Sequence, residues 1–336
     1  MRKQGIGMWV VAGICLSLWM GAESVEGAPY YEGKLVKIVV ASTPGGGYDR
    51  MARLLAKFLP NHIPGKPTFI VENMPGAGSI VAGNYIYSIA KPNGLTIGAL
   101  QRGIQFAQMT KVDGVRFDMS KYAWIGSPSV ESTVFCVRSD LPYKVFDDLR
   151  RAKEPIPVAS AGPGATAYQY PFLLKEFLGI SFKMVIYPSG TECLLALERK
   201  EVDGQAGSFS SFKPYLARGV LRMLVRGRVS EPGIENLPVD EEMATDPKGK
   251  AIMSLRSGGD VIGRPYVAPP GTPRDVMNIL RDAFAKATKD PELRDAATKL
   301  QMTLQYVPGD ECVKIIKEAL NQPETVVKEF SKYITF

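Results

Sequence analysis

The sequence predicts an α/β fold of two lobes, on three observations. Apolar, β-branched runs alternate with segments of helical periodicity, joined by short turns carrying glycine or proline. Such alternation implies a parallel sheet covered by helices on both faces. Two extended segments, 124–128 and 133–137, then read as a crossing into a second region where the pattern recurs, in a chain of 336 residues that is long enough for two cores.

The first 27 residues read as a targeting segment. Arg2 and Lys3 precede an apolar stretch at 6–20 that is short for a membrane span, and a processing site falls before Ala28, with 22–24 as its competitor. An uncleaved anchor is the alternative. The expectation is an exported, soluble product, because no later apolar run has the length to cross a bilayer.

Residues 35–40 are the first strand. The run breaks at Thr43-Pro44-Gly45-Gly46-Gly47-Tyr48-Asp49 and resumes at helical spacing with Met51, Leu54, Leu55, Phe58 and Leu59. Three glycines let backbone N–H groups converge, and the helix N-terminus adds partial positive charge, so the turn suits an anion. Asp49 is placed to cap the helix. A tight turn that binds nothing is the competing reading, and no Gly-Lys-Ser/Thr follows to make a nucleotide loop. A strand at 68–72, a turn at 75–78, a helix at 79–90 with Ser79 as N-cap, and a strand at 95–100 come next. Ligands of parallel sheets gather beyond the carboxyl ends of the strands. That nominates the 45–49 turn, the 73–79 turn and Gln101-Arg102-Gly103.

The second region repeats the unit. A strand at 156–160 leads through a turn with Gly162 and Gly164 into a helix at 167–178, where Pro171 is tolerable only in the first turn. A strand at 182–187, the turn Pro188-Ser189-Gly190, a helix at 191–200 and strands at 205–209 and 220–225 follow. Residues 227–257 read as polar and irregular. An extended run at 261–268 precedes a helix with Thr272 as N-cap and Pro273 first. Helices from Pro291 and Asp310 close the chain around a strand at 303–307.

Composition excludes several chemistries. His62 is the one histidine and sits in a proline-flanked turn, so neither a histidine-based nucleophile system nor a histidine-rich metal site is available. Cys136, Cys193 and Cys312 are far apart without CxxC spacing, so each reads as a small apolar residue, with a single bridge left open. The net charge is +7, but the cations are scattered without interleaved aromatics. No nucleic acid is expected as a partner, and the field suits a small anion.

PGGGYD at 44–49, VENMPGAGS at 71–79, KPNG before LTIGAL at 91–100 and APPGTP at 268–273 together carry a resemblance. From about Tyr31 onward the chain resembles the periplasmic solute receptors of the tripartite tricarboxylate transporter family, often called Bug proteins. The resemblance implies a two-lobed periplasmic-binding-protein fold (type II, Venus flytrap) with two hinge crossovers. Residues 28–130 and 257–336 would form the first lobe and 131–256 the second. It implies a small organic carboxylate as ligand, held from opposite sides by two glycine turns, often through ordered water, and the transporter's integral-membrane subunits as partners. Residue by residue this transfers to Gly45, Gly46, Gly47, Tyr48 and Asp49, and to Gly162, Gly164, Ala165 and Thr166. The second turn departs from the family: it reads GPGATAYQY, with Tyr168 and Tyr170 and no histidine, and Tyr187-Pro188-Ser189-Gly190 is also altered.

Selectivity then falls to Tyr48, Arg102, Tyr168, Phe209 and their neighbours. Arg102 reads either as a bidentate clamp for a distal carboxylate or as a bare surface arginine, and the alternative ligand is an aromatic acid flanked by Tyr48 and Tyr168. Ser208 faces the cleft or caps a helix. No cofactor or metal is implied, and a periplasmic monomer is expected. Two rivals stay open: an exported hydrolase whose nucleophile would be Ser79, Ser208 or Thr166, each without an evident base, and a receptor that serves a signalling partner.

Overall fold

The computed structural model describes residues 28–336; the targeting segment expected at 1–27 lies outside the described residues. The strands in chain order are β1 (Leu35–Val40), β2 (Thr68–Asn73), β3 (Thr96–Ala99), β4 (Ala123–Ser127), β5 (Thr133–Arg138), β6 (Ile156–Ser160), β7 (Phe182–Ile186), β8 (Gly204–Ser208), β9 (Leu221–Arg226), β10 (Tyr266–Ala268) and β11 (Val307–Pro308). They form two sheets, β11-β4-β10-β3-β1-β2 and β7-β6-β8-β5-β9. The first sheet draws on both ends of the chain and the second on its middle. The polypeptide passes between them twice, after β4 and before β10.

The parallel pairing expected from the strand–helix units holds for β1 with β2 and β3, and for β6 with β7 and β8. Strands beside the crossings run the other way. β10 is antiparallel to β3 and β4, and β5 is antiparallel to β8 and β9. Both sheets are therefore mixed, because a strand that arrives from the opposite lobe enters from the far end.

Alternation along each strand loads both faces. Val36, Ile38 and Val40 face the amphipathic helices Gly47–Phe58 and Arg274–Ala287, burying Met51, Leu55, Leu280 and Phe284. Val39 and Ala41 point to the other side, onto Ile80, Ile86, Ile104 and Ile316. In the second sheet Phe135, Val137 and Val158 meet Tyr170, Leu173 and Leu174, whereas Val134, Cys136 and Ala159 meet Cys193, Ala196 and Phe212. The cysteines are free and buried, as a small apolar role requires. Burial pushes the thiols of Cys193 and Cys312 up to about 12, far from any thiolate chemistry.

Several local expectations are corrected. The stretch read as irregular contains a helix, Pro247–Ile262, which also takes up Val261 and Ile262 from the run read as extended. Its start is a clean signal: the Asp246 carboxylate accepts from the N–H groups of Lys248 and Gly249, with Pro247 in the first turn. Pro171 lies inside Thr166–Leu178, beyond the first turn. Of the strand expected at 303–307 the sheet retains β11 alone, starting at Val307.

The C-terminal residues, expected with the first lobe, have side chains in the second core. After the helix Glu324–Phe330, Phe330 and Ile334 pack with Leu173, Leu174 and Met253. Phe106 and Met109, from the helix Ile104–Met109 after β3, join them there.

Candidate ligand-binding cleft

Between the sheets lies a cavity of about 740 Å³, within the range that holds small molecules. Its first wall is the turn after β1. The helix begins at Gly47, so the N–H groups of Gly47 and Tyr48 have no intrahelical acceptor. Asp49 is not the cap. It lies in the first turn, and its carboxylate reaches back to accept from the Gly45 N–H at 2.9 Å. Arg53 Nε at 3.0 Å and Asn73 Nδ2 at 2.9 Å complete its shell. Burial would raise the Asp49 pKa, but these donors outweigh it and hold the carboxyl below its ordinary value. Asp49 thus fixes the turn from behind while Gly45, Gly46, Gly47 and Tyr48 line the cavity.

The opposite wall differs from the expected one. Ala165 and Ser208 line the cavity, and so do Pro188-Ser189-Gly190-Thr191. Gly162 and Gly164 do not. The Gly164 N–H donates to the Thr335 carbonyl at 2.8 Å, so it is consumed by the C-terminal segment. Thr166 lies with Arg102 and Gly103 around a separate, nearly filled crevice. Tyr168 packs at a tilt against Phe172, with ring centroids 4.9 Å apart, and does not line the cavity, and Phe209 is buried in the core of the second sheet.

The lobes are in contact at the cleft mouth. A Cβ added at Gly164 would lie 2.7 Å from the Gly78 Cα, and the Phe336 ring lies against both glycines. The turn at 76–79 is strained to make this approach, with positive φ at Gly76, Ala77, Gly78 and Ser79. Ser79 is wholly buried, and its hydroxyl accepts from the Gln101 N–H at 3.1 Å instead of capping the helix Ile80–Ser88. It offers no exposed nucleophile. Gln101 lines the cavity and anchors through Nε2 to the Ala41 carbonyl.

Arg102 does not reach the cavity. Its guanidinium donates to Ser208 Oγ and Thr133 Oγ1, both at 2.8 Å, and pairs with Asp260 at 2.9 Å. The Arg102 N–H donates to the Tyr48 hydroxyl. With every nitrogen engaged, the side chain ties the first sheet to β5, β8 and the helix Pro247–Ile262. A second buried pair lies close by. Arg264 Nε meets Glu131 at 2.6 Å, and Ser210 bonds both partners. Burial would raise the Glu131 pKa, yet Arg264 and Arg102 hold it below its usual value. Arg264 also occupies the space beside Gly47, where a Cβ would stand 2.6 Å from Nη1. His62 pairs with Asp290 at 2.8 Å, remote from the cavity.

Of the 73–79 turn that the sequence nominated, Pro75 to Gly78 line the cavity, as do Pro188 to Gly190 of the altered 187–190 turn; sequence reasoning missed Arg50, Thr191, and Ser211, Tyr215 and Arg218 on the helix Phe209–Ala217 and just beyond it. The missed residues belong to none of the quoted motifs. Among the described residues, no aspartate or glutamate lines the cavity.

Residues 51–331 match the family described as the tripartite tricarboxylate transporter family receptor. The "UPF0065 protein in gbd 5'region" of Cupriavidus necator is 26% identical, over 98% of this chain and 97% of that protein. Among solved structures, MatC from Rhodopseudomonas palustris with bound malate aligns at a TM-score of 0.71 and 22% identity, covering 88% of this chain and 99% of that one. The periplasmic binding protein BugD aligns at 0.71 and 20% identity, covering 90% and 98%. These two likenesses show the fold, an α/β periplasmic-binding-protein architecture with two mixed sheets. The family match goes further and excludes the hydrolase rival: this chain belongs to the tripartite tricarboxylate transporter family of receptors, which are binding proteins and not enzymes.

Proposed function

We propose that the protein is a periplasmic receptor that captures a small organic carboxylate between its lobes and presents it to the integral-membrane subunits of a tripartite transporter. One observation carries the reading: the cavity is walled by the N-terminus of a helix and by glycine turns, and no carboxylate side chain lines it. Unpaired N–H groups and the helix dipole favour an anion there. MatC, in the same fold, holds malate.

Residues 45–48, Gln101, Ala165 and Ser208 form the ligand's contacts in this reading. The lobes close around it as rigid bodies about the two crossings, and the closed surface is what the membrane partner recognises. The helices of the described residues include none long and apolar enough to cross a membrane, which fits a receptor that works beside the membrane subunits.

A thermal-shift screen against mono-, di- and tricarboxylates and aromatic acids tests the reading. One class should raise the melting temperature in a saturable way. A flat response to all four, with a folded protein, would sink it.

A further inference from the structure

We infer that Arg50 sets ligand selectivity by pairing a second anionic group, so that the cleft selects diacids over monoacids of equal length. This rests on the carboxylate reading above and adds to it the residue and the charge requirement.

Arg50 lines the cavity one helical turn beyond Gly47. The other buried or cleft-lining cations nearby have their carboxylates: Arg102 has Asp260, Arg264 has Glu131, and Arg218 has Glu198. Arg50 has no ion pair or side-chain hydrogen bond among the described residues, and its Nε is buried without an acceptor. Half-burial lowers its pKa, and the neighbouring Arg264 lowers it further. A charged fork in this position is costly unless something arrives to satisfy it.

The position distinguishes a second group from the first. Arg50 stands on the helix that starts at Gly47, beside which Arg264 lies, and it shares the cavity with Tyr215 and Arg218 of the opposite lobe. A monoacid seated on the turn would leave the guanidinium unpaired as the lobes shut over it. A diacid that reaches from the turn toward Tyr215, within the cavity of about 740 Å³, would pair it. Arg102, the residue that sequence suggested for this task, is fully engaged elsewhere.

The test is calorimetric titration of the protein, its Arg50→Gln variant and its Arg50→Lys variant. The probes are succinate, adipate and terephthalate, each against butyrate, hexanoate or benzoate. In the parent protein the best diacid should bind at least about tenfold tighter than its monoacid, as a charge-assisted pair implies. Arg50→Gln should erase that preference, weakening the diacid about 10- to 100-fold and the monoacid less than about threefold. Arg50→Lys should retain part of it. The melting temperature of ligand-free Arg50→Gln should be unchanged or higher, since an unsatisfied charge is removed; a marked fall would assign Arg50 a structural role and overturn the inference. So would a preference that survives Arg50→Gln, or equal loss for both members of a pair. Binding of none of the six probes and of no tricarboxylate would overturn the carboxylate reading itself, whereas carboxylate binding indifferent to Arg50 overturns this inference alone.

Discussion

Gly78 and Gly164 meet backbone to backbone across the cleft mouth, with no room for a side chain on either. Gly164 has φ +82 and Gly162 has φ +89, but a Cβ at Gly162 would have no atom within 4 Å. The two positions share backbone strain and differ in contact. Gly162→Ala should lose about 1 kcal/mol of stability from backbone strain alone, and Gly164→Ala about 1–3 kcal/mol more, because its Cβ also meets the Gly78 backbone. Gly164→Ala alone should weaken ligand binding and leave a larger radius of gyration by small-angle scattering when a ligand is present. Equal effects from both variants would mean that the contact plays no part in closure.

Neighbouring glycines in the first turn should behave differently. Gly46 has φ −72, and the nearest atom to an added Cβ is the Thr43 carbonyl at 3.7 Å. Gly46→Ala should fold with nearly unchanged stability. Gly47→Ala would drive into the Arg264 guanidinium, so it should cost about 1–3 kcal/mol in chemical denaturation.

Glu131→Gln leaves Arg264 buried without its carboxylate. The expected loss is about 3–5 kcal/mol in denaturant unfolding. A loss below about 1 kcal/mol, the range of surface pairs, would show that solvent reaches the pair.

Stability should also depend on pH through Asp240. Burial raises its pKa from 3.8 to about 6, and the Arg256 guanidinium at 3.7 Å offsets that only in part. Between these values the native state holds a proton that the unfolded chain has released, so stability falls as pH rises through the window. Asp240→Asn should flatten the pH profile of the melting temperature between pH 4 and about 6. Arg256 also pairs with Asp260 at 3.1 Å, so removing the Asp240 charge does not strip it of every carboxylate.

The fold was legible because its evidence is local. Apolar, β-branched runs such as 35–40 and 156–160, the glycine turns and the helical periodicity that follows them declare themselves within a dozen residues; the caps did not, since neither Ser79 nor Thr272 caps its helix. The helix Pro247–Ile262 was equally declared by Asp246-Pro247, but the density of prolines and glycines around it obscured the signal. The site was legible only to the level of the turn. Arg102 meets Thr133, Ser208 and Asp260 from distant parts of the chain, and no spacing rule brings those four together. Arg50 is harder still, because what sets it apart is a missing partner, which a linear sequence cannot display.

The C-terminal segment bears on whether the two halves can unfold apart. Phe330 and Ile334 complete the core of the middle sheet, while β10, β11 and the helix Arg274–Ala287 complete the core of the other. Neither core is complete without residues that lie far along the chain from its sheet's first strand. The two halves should therefore melt in a single calorimetric transition rather than in succession.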